Sequence, residues 1–400
     1  MSSPPFTEGQ LRFYMRQQDV RTYQLGDSED EVLKQVLLAR DSLNSPTYSL
    51  GLNKPFLKGQ ELVFEPARLE DKLFLRYLNG RLRRFYKITP PNRNAIVRQL
   101  SVILKSDAYL NFVRADIKRF FRTINFRWLI ERLRMDGFLS ALELNTIIQI
   151  EHFSSKFHAL GIPWGLSISS TLAEIFLLEF DEKLRETKQV YYYRRFVDDM
   201  ILVASENAQN ILDRITEVLE SQSLKLNKIK TIAVSESHTV PIKLDYLGYQ
   251  FTRALQKSKK PADVTISISK SKCERLRQRI IESFSDFYKN GDWFLLRDRI
   301  KSLTGNYTIN KSAHSSPIRT GIFYNYSEIT TAKTQLAEID EFLRLRFVRL
   351  RAFLNRRGRV RQAQQIKSLM KYSFVIGWEK RILHRFSQLR LQQISTAWSE

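Results

Sequence analysis

A single cysteine, Cys273, stands among 400 residues. It has no partner for an internal disulfide, and no Cys/His group has the spacing of a zinc site. Nor is there a run of roughly 18 to 20 uncharged apolar residues, which a membrane-spanning helix needs. The first residues, with Pro4, Pro5 and then Glu8, lack the basic-then-apolar order of a secretory signal. Internal repeats and low-complexity tracts are absent too. A cytoplasmic, reducing setting is expected. Acid is the other shortage: 42 Asp and Glu face 65 Lys and Arg, a net charge of +23 with a pI near 10. An enzyme of small molecules gains nothing from such self-repulsion. A protein that neutralises a row of phosphates does, because each contact releases condensed counterions. The 43% apolar content is ample for a buried core, and the length suits two or three subdomains.

Residues 1–60 alternate short polar and apolar runs and allow little placement. Leu73, Leu75, Tyr77, Leu78, Leu82 and Phe85 predict a helix over Leu69–Tyr86, which the run Thr89-Pro-Pro-Asn92 then breaks. Ala95 to Leu104 reads as a strand and turn, and Leu110 to Ile117 as a strand closed by Asp116. Phe120, Phe121, Ile124, Trp128, Leu129 and Leu133 recur at helical spacing. After the breaker-rich Gly161–Gly165, serines are expected to cap a helix carrying Leu172, Ile175, Phe176 and Leu178. Val190–Val197 and Met200–Ala204 are β-prone runs around Asp198-Asp199, a tight hairpin. An amphipathic helix follows over Glu206–Glu220, then short strands over Thr231–Val234, Leu244–Phe251 and Val264–Ile268. Beyond Lys270 the pattern is mostly helical, interrupted at Gly291, Gly305, Ser315-Ser316-Pro317 and Gly321. The expected fold class is α+β: a mixed core followed by a helical domain, with the boundary near 265 to 290.

Three acids sit where strands end. Two adjacent aspartates at a hairpin repel each other, and a plain turn is better served by Asn-Gly or Asp-Gly. Hard cations remove that repulsion, since Mg²⁺ takes oxygen ligands and keeps positions open for substrate phosphates. Asp116, Asp198 and Asp199 are therefore candidate ligands for two metal ions. Such a pair activates a 3′-hydroxyl and stabilises a departing pyrophosphate without any nucleophilic side chain.

The surrounding residues resemble a known family. Phe196-Val197-Asp198-Asp199, followed by Met-Ile-Leu-Val, resembles the Tyr-x-Asp-Asp hairpin of reverse transcriptases, with Phe in place of Tyr. Ala115-Asp-Ile-Lys-Arg-Phe-Phe121 is similar to the first palm motif of that family. Gly161-Ile-Pro-Trp-Gly165 with Ser167, Ser169, Ser170 and Leu172-Ala-Glu-Ile175 is similar to the second. Leu224-Lys-Leu-Asn-Lys-Ile-Lys-Thr231 and Leu244-Asp-Tyr-Leu-Gly-Tyr249 look like the next two, in the family's order.

The resemblance implies a right-hand polymerase. Residues 1–110 would be an N-terminal extension and fingers. Residues 111–265 would be a ferredoxin-like antiparallel palm, and 266–400 a helical thumb and basic C-terminal domain. It implies an RNA-directed DNA polymerase that uses two Mg²⁺ ions, with Mn²⁺ as substitute. The metal set would be Asp116, Asp198, Asp199 and the Ile117 carbonyl, with Lys230 protonating the leaving pyrophosphate. Phe121 would be the gate against a ribose 2′-hydroxyl. Pro163, Trp164 and Gly165 would meet the incoming nucleotide and template, although the family usually has Gln where Trp164 stands; Trp offers a stacking face and one N–H instead. Arg93 and Arg98 would reach the triphosphate from the fingers. Leu247, Gly248 and Tyr249 would form the primer grip.

Residues 341–400 hold 14 Lys or Arg against 3 Asp or Glu. Arg344, Arg346, Arg349 and Arg351, threaded by Leu343, Leu345, Phe347, Leu350 and Phe353, predict a helix with a basic face for a nucleic-acid backbone. The zinc and endonuclease arrays of group II intron proteins are missing. The retron signatures are missing too, since Asn94-Ala95 is followed by Ile-Val-Arg. Leu172-Ala-Glu-Ile175 and Gly321-Ile-Phe-Tyr-Asn-Tyr326 look more like bacterial defence-associated and abortive-infection reverse transcriptases. That branch implies antiphage function, an RNA template or noncoding RNA, dNTPs and a DNA product. It also implies a companion protein or self-assembly, and no membrane. Two other readings stay open: template-independent or protein-primed synthesis, with Tyr307, Tyr324 and Tyr326 as conceivable attachment points, and a catalytically silent RNA-binding subunit.

Overall fold

The computed structural model describes residues 6–106, 110–235, 241–254, 263–309 and 317–398. These fall into two compact units. One holds residues 6–91 and 110–235, the other 92–106, 241–254, 263–309 and 317–398. Ser315 and Ser316 lie outside the described residues. No described helix is long and apolar enough to cross a membrane.

In the first unit, helices Glu8–Tyr14, Gln17–Thr22 and Glu29–Asn44 precede the helix Leu69–Phe85. Thr7 and Ser28 each accept a hydrogen bond from the backbone N–H three residues on, while Gln10 and Glu31 reach back to the cap. The helix Leu69–Phe85 forms where Leu69 to Phe85 carry helical periodicity, and it is buried on two faces. Phe74 packs with Phe6, Leu11 and Val36, whereas Leu75, Leu78 and Leu82 belong to the larger core beneath the main sheet. Asp19 is wholly buried and meets Arg76 through two hydrogen bonds of 2.5 and 2.9 Å.

A short hairpin, β1 (Phe56–Lys58) and β2 (Glu61–Val63), is followed by the main sheet. Its strands are β3 (Asn111–Asp116), β4 (Val190–Phe196), β5 (Asp199–Ala204) and β6 (Ile232–Ser235), in the order β4-β5-β3-β6. All neighbours are antiparallel. Helices connect β3 to β4 and β5 to β6, so the chain runs strand-helix-strand-strand-helix-strand, the ferredoxin-like order expected of a palm. One face carries Val113, Ala115, Met200 and Leu202 into a core with Leu129, Leu172, Ile175, Ile211 and Ile215. Arg114 and Asp116 alternate onto the other face.

The helical run after Asp116 is two pieces, Phe120–Thr123 and Phe126–Met135, because Asn125 caps the second through the Trp128 N–H. The serines after Gly165 do not cap. Ile168 holds the cap position of Ser169–Phe176, and the Ser169 hydroxyl donates to the Pro163 carbonyl at 2.6 Å.

The second unit contains the clearest departure from the sequence reading: Arg93–Leu104 is a helix, not a strand. The Asn92 side chain accepts from the Ala95 N–H at 3.1 Å, and Ile96, Val97, Leu100 and Leu104 share a buried face. Packing on that face outweighs the strand preference of Ile and Val. Here β7 (Ile242–Tyr246), β8 (Tyr249–Arg253) and β9 (Val264–Ile268) form an antiparallel sheet. Helices Lys270–Asn290, Trp293–Thr304, Ala332–Arg356 and Val360–Leu369 follow. Within this helical region lies a small sheet that the sequence did not reveal, ordered β11 (Ile318–Gly321), β10 (Asn306–Ile309), β12 (Leu383–His384). β10 begins directly after Gly305 and β11 ends at Gly321, the glycines read as mere interruptions.

Asp19→Ala should destabilise the first unit by about 3–5 kcal/mol, because it leaves the buried Arg76 guanidinium without its counter-charge. Urea unfolding of the variant beside the wild type measures this.

Candidate active site

Antiparallel pairing of β3 with β5 places Asp116 opposite Asp199. The β4–β5 hairpin closes through Val197 and Asp198, since Phe196 pairs with Asp199; Asp198 is thus in the loop and Asp199 already in the strand. The Ile117 N–H donates to the Asp198 carbonyl at 3.1 Å, tying the hairpin loop to the end of β3. A third segment closes on the same point. The Lys118 N–H donates to Lys225 and the Asn227 N–H to the Asp116 carbonyl, each at 2.8 Å. The Asn227 side chain donates to Asp116 Oδ1 at 2.9 Å and Lys230 Nζ to Oδ2 at 3.1 Å. Residues from three motifs, far apart in sequence, therefore meet at the end of β3.

The electrostatics follow. Asp116 is buried, and Asn227 and Lys230 between them occupy both its oxygens. Burial, and next the charge of Asp116, push the Asp198 carboxyl above its ordinary value, with Lys230 acting against them. Asp199 is also pushed up by burial, opposed by Arg114, whose Nε and Nη2 donate to its two oxygens at 3.0 Å each. The charge of Asp116 acts on both Asp198 and Asp199, and Asp199 is in addition hydrogen-bonded to Arg114. Among the described residues, no group of three His, Cys, Asp or Glu side chains stands ready to hold a metal ion. Asp116 and Asp198 fit a hard divalent cation by their chemistry, being two oxygen donors whose mutual repulsion a cation removes.

Arg195 is a residue that sequence reasoning passed over. Its guanidinium is nearly buried and donates to Asp181 at 2.9 and 2.7 Å, to Glu174 at 3.1 and 2.7 Å, and to the Val197 carbonyl at 2.7 Å. Val197 has φ 62, a left-handed conformation that is costly for a β-branched residue. Arg195 thus ties down the loop that presents Asp198. Its position directly before Phe-Val-Asp-Asp was the available signal, but its acidic partners, buried Asp181 and half-buried Glu174, lie 14 and 21 residues away.

Phe120 is buried in the core and Phe121 only half-buried. The Phe121 ring faces Trp164, centroids 5.3 Å apart at 59°. Trp164 is 42% exposed, so it is not a core anchor. Pro163 is buried behind it, and Gly165 has φ 95.

In the second unit, Arg93 does not stand open to a triphosphate. Its Nε donates to the Leu247 carbonyl at 2.8 Å and its Nη1 to the Asn325 carbonyl at 2.7 Å, between the rings of Tyr249 and Tyr326. Arg98 lies 3.6 Å from Glu328. Both belong to a helix whose side chains engage their own unit. Leu247 and Gly248 form the β7–β8 turn, with φ 50 and 78, and Tyr249 opens β8. On Ala332–Arg356 the buried stripe of Leu343, Phe347, Leu350 and Leu354 divides the predicted basic face. At 100° per residue, Arg344 and Arg351 flank one side, and Arg346 and Arg349 the other. Arg346 lies over the Phe342 ring. Burial pushes the hydroxyls of Tyr307 and Tyr326 up, and Tyr324 accepts from Arg319.

Arg195→Met should cost about 3–5 kcal/mol by leaving Asp181 and Glu174 uncompensated. A thermal or urea unfolding series checks it.

Residues 67–251 match the family described as reverse transcriptase (RNA-dependent DNA polymerase). No curated protein matches the chain. Among solved structures, apo telomerase from Candida tropicalis truncated from its C-terminal domain is 15% identical, with 56% of each chain covered and a TM-score of 0.38. Telomerase from Candida albicans in complex with a TWJ fragment of telomeric RNA is 13% identical, covering 82% of this chain and 56% of that one at a TM-score of 0.35. The chain thus spans just over half the length of these two structures. The match over 67–251 takes in Asp116, Asp198, Asp199, Asn227 and Lys230, the residues that meet at β3 and β5. Residues 67–251 are a reverse-transcriptase domain, the catalytic domain type of RNA-directed DNA polymerases, which are nucleotidyltransferases.

Proposed function

We propose that this chain extends a 3′-hydroxyl with deoxynucleoside triphosphates under the direction of an RNA template. The observation that carries the reading is the meeting of Asp116 and Asp198, with Asp116 clamped by Asn227 and Lys230. Asp116 and Asp198 would hold the divalent cations, with Asp199 and the Ile117 carbonyl in support. When bound, two Mg²⁺ ions, or Mn²⁺ in their place, would help the attacking hydroxyl lose its proton and would stabilise the charge on the departing pyrophosphate. Asn227 and Lys230 fix the direction of the Asp116 oxygens. The half-exposed Lys230 ammonium would give a proton to the leaving pyrophosphate. Arg195 keeps the Val197–Asp198 loop in place.

Phe121 excludes a ribose 2′-hydroxyl in this reading, and Pro163, Trp164 and Gly165 meet the nucleotide and template. Leu247, Gly248 and Tyr249 are assigned to the primer end by their resemblance to the family motif. Arg344, Arg346, Arg349 and Arg351 are assigned to a nucleic-acid backbone, with a net charge of +23 in support. The wider role we infer is bacterial antiphage defence with an associated noncoding RNA and a companion protein or further copies of the chain. It is supported by Leu172-Ala-Glu-Ile175 and the Gly321–Tyr326 segment. Protein priming draws no support from Tyr307 and Tyr326, whose hydroxyls partial burial pushes up, or from Tyr324, which accepts from Arg319.

Asp198→Asn should abolish dNTP incorporation on an RNA template while leaving RNA binding nearly unchanged; undiminished incorporation would overturn the metal assignment. Mg²⁺ should raise the thermal midpoint of the wild type, and the same variant should lose that rise, since it lacks the repulsion that the cation relieves. Phe121→Ala should admit ribonucleotides in single-nucleotide incorporation, and product DNA should remain in the aqueous phase on phenol extraction without protease.

A further inference from the structure

The segment Gly161–Gly165 is fastened at both ends, and the fastening sets where two aromatic rings meet. At one end the Ile162 N–H donates to the Phe121 carbonyl at 2.8 Å. Gly161, at φ 70, comes so close that an added Cβ would lie 2.0 Å from that carbonyl oxygen. At the other end the Phe64 N–H donates to the Trp164 carbonyl at 2.8 Å, and Trp164 pairs with Val63 at the edge of β2. A Cβ on Gly165, at φ 95, would lie 2.3 Å from the Phe64 carbonyl oxygen. Between these ends the Ser169 hydroxyl holds the Pro163 carbonyl. The backbones of Phe121 and Trp164 are thereby placed by the same loop, and only side-chain torsions remain free.

The rings then restrict each other. Their centroids are 5.3 Å apart at 59°, inside the range of favourable aromatic pairs. Phe120 supports Phe121 from the core side, with centroids also 5.3 Å apart. Trp164 stands on the outer side and keeps 42% of its surface exposed. An exposed indole on a loop so firmly fastened is unexpected for mere packing. A glutamine there would offer hydrogen bonds but no wall for the ring.

We propose that Trp164 is a specificity-determining residue: it fixes the Phe121 ring, so that selection of deoxyribonucleoside over ribonucleoside triphosphates is a property of the Phe121–Trp164 pair. The proposal rests on the polymerase reading above and on Phe121 facing the sugar. It assigns Trp164 a positioning role toward Phe121 and no part in the chemical step.

The test is the ratio of kcat/KM for a dNTP to that for the matching rNTP, measured on the full chain with Mg²⁺ and an RNA template. Wild type, Phe121→Ala, Trp164→Ala, Trp164→Gln, Trp164→Phe and the double alanine variant are compared. Trp164→Ala and Trp164→Gln should lower the ratio by roughly 3- to 10-fold, the factor an aromatic pair contributes. Trp164→Phe should restore most of it, and the double variant should fall no further than Phe121→Ala alone. A changed fold would alter both rates together rather than their ratio, and the Gln and Phe variants carry the test if the Ala variant does not fold. If Phe121→Ala lowers the ratio while every Trp164 variant keeps it, the proposal falls and the polymerase reading stands. A double variant whose losses simply multiply also overturns it. Wild type that incorporates no nucleotide removes the polymerase reading and the proposal with it.

Discussion

Two carboxylates of like charge, Asp116 at the end of β3 and Asp198 in the β4–β5 loop, are held together against their repulsion, and the first unit is organised around that constraint. Isolated strand ends would splay or take up protons. Here the Ile117 N–H ties the loop to β3, Asn227 and Lys230 hold the Asp116 oxygens, and Arg195 ties down the strained Val197. Each contact comes from a different element, so the site exists only while the sheet, the 224–231 segment and the helices carrying Glu174 and Asp181 are all in place.

The same logic explains where charge is buried. Arg195 and Arg76 are largely inside, each matched to carboxylates through several hydrogen bonds. Such pairs add little stability compared with an apolar core, but they are costly to break singly. Asp199, whose sequence neighbour is Asp198, is matched to Arg114 in this way. One of two adjacent aspartates is therefore matched by an arginine, and the other is pushed up by burial and by Asp116, with Lys230 opposing them.

Much of this was legible in the order of residues. Val190–Val197 and Met200–Ala204 are β-prone runs on either side of Asp198-Asp199, and a hairpin followed from that pattern. Helix Leu69–Phe85 was visible in its leucine spacing. Residues 93–104 were not legible, because Ile96, Val97 and Val102 favour strands locally and only the buried face of Ile96, Val97, Leu100 and Leu104 selects a helix. The β10–β12 sheet was hidden for another reason: β12 is two residues long and pairs with a strand nearly eighty positions earlier.

The sequence by itself determined the identity and order of the chemical groups: Asp116, Asp198-Asp199, Asn227 and Lys230 at motif spacing, Phe121 five residues beyond the first acid, and a strongly basic chain. Those are properties of covalent order and local periodicity. Only the tertiary structure decided what each group does with its neighbours. It turned Asp199 onto Arg114, spent Arg93 on the carbonyls of Leu247 and Asn325, split the arginines of Ala332–Arg356 around a buried stripe, and set Trp164 against Phe121. These outcomes depend on which backbones are brought within hydrogen-bonding distance, a matter of sheet register and packing that no local window of sequence contains.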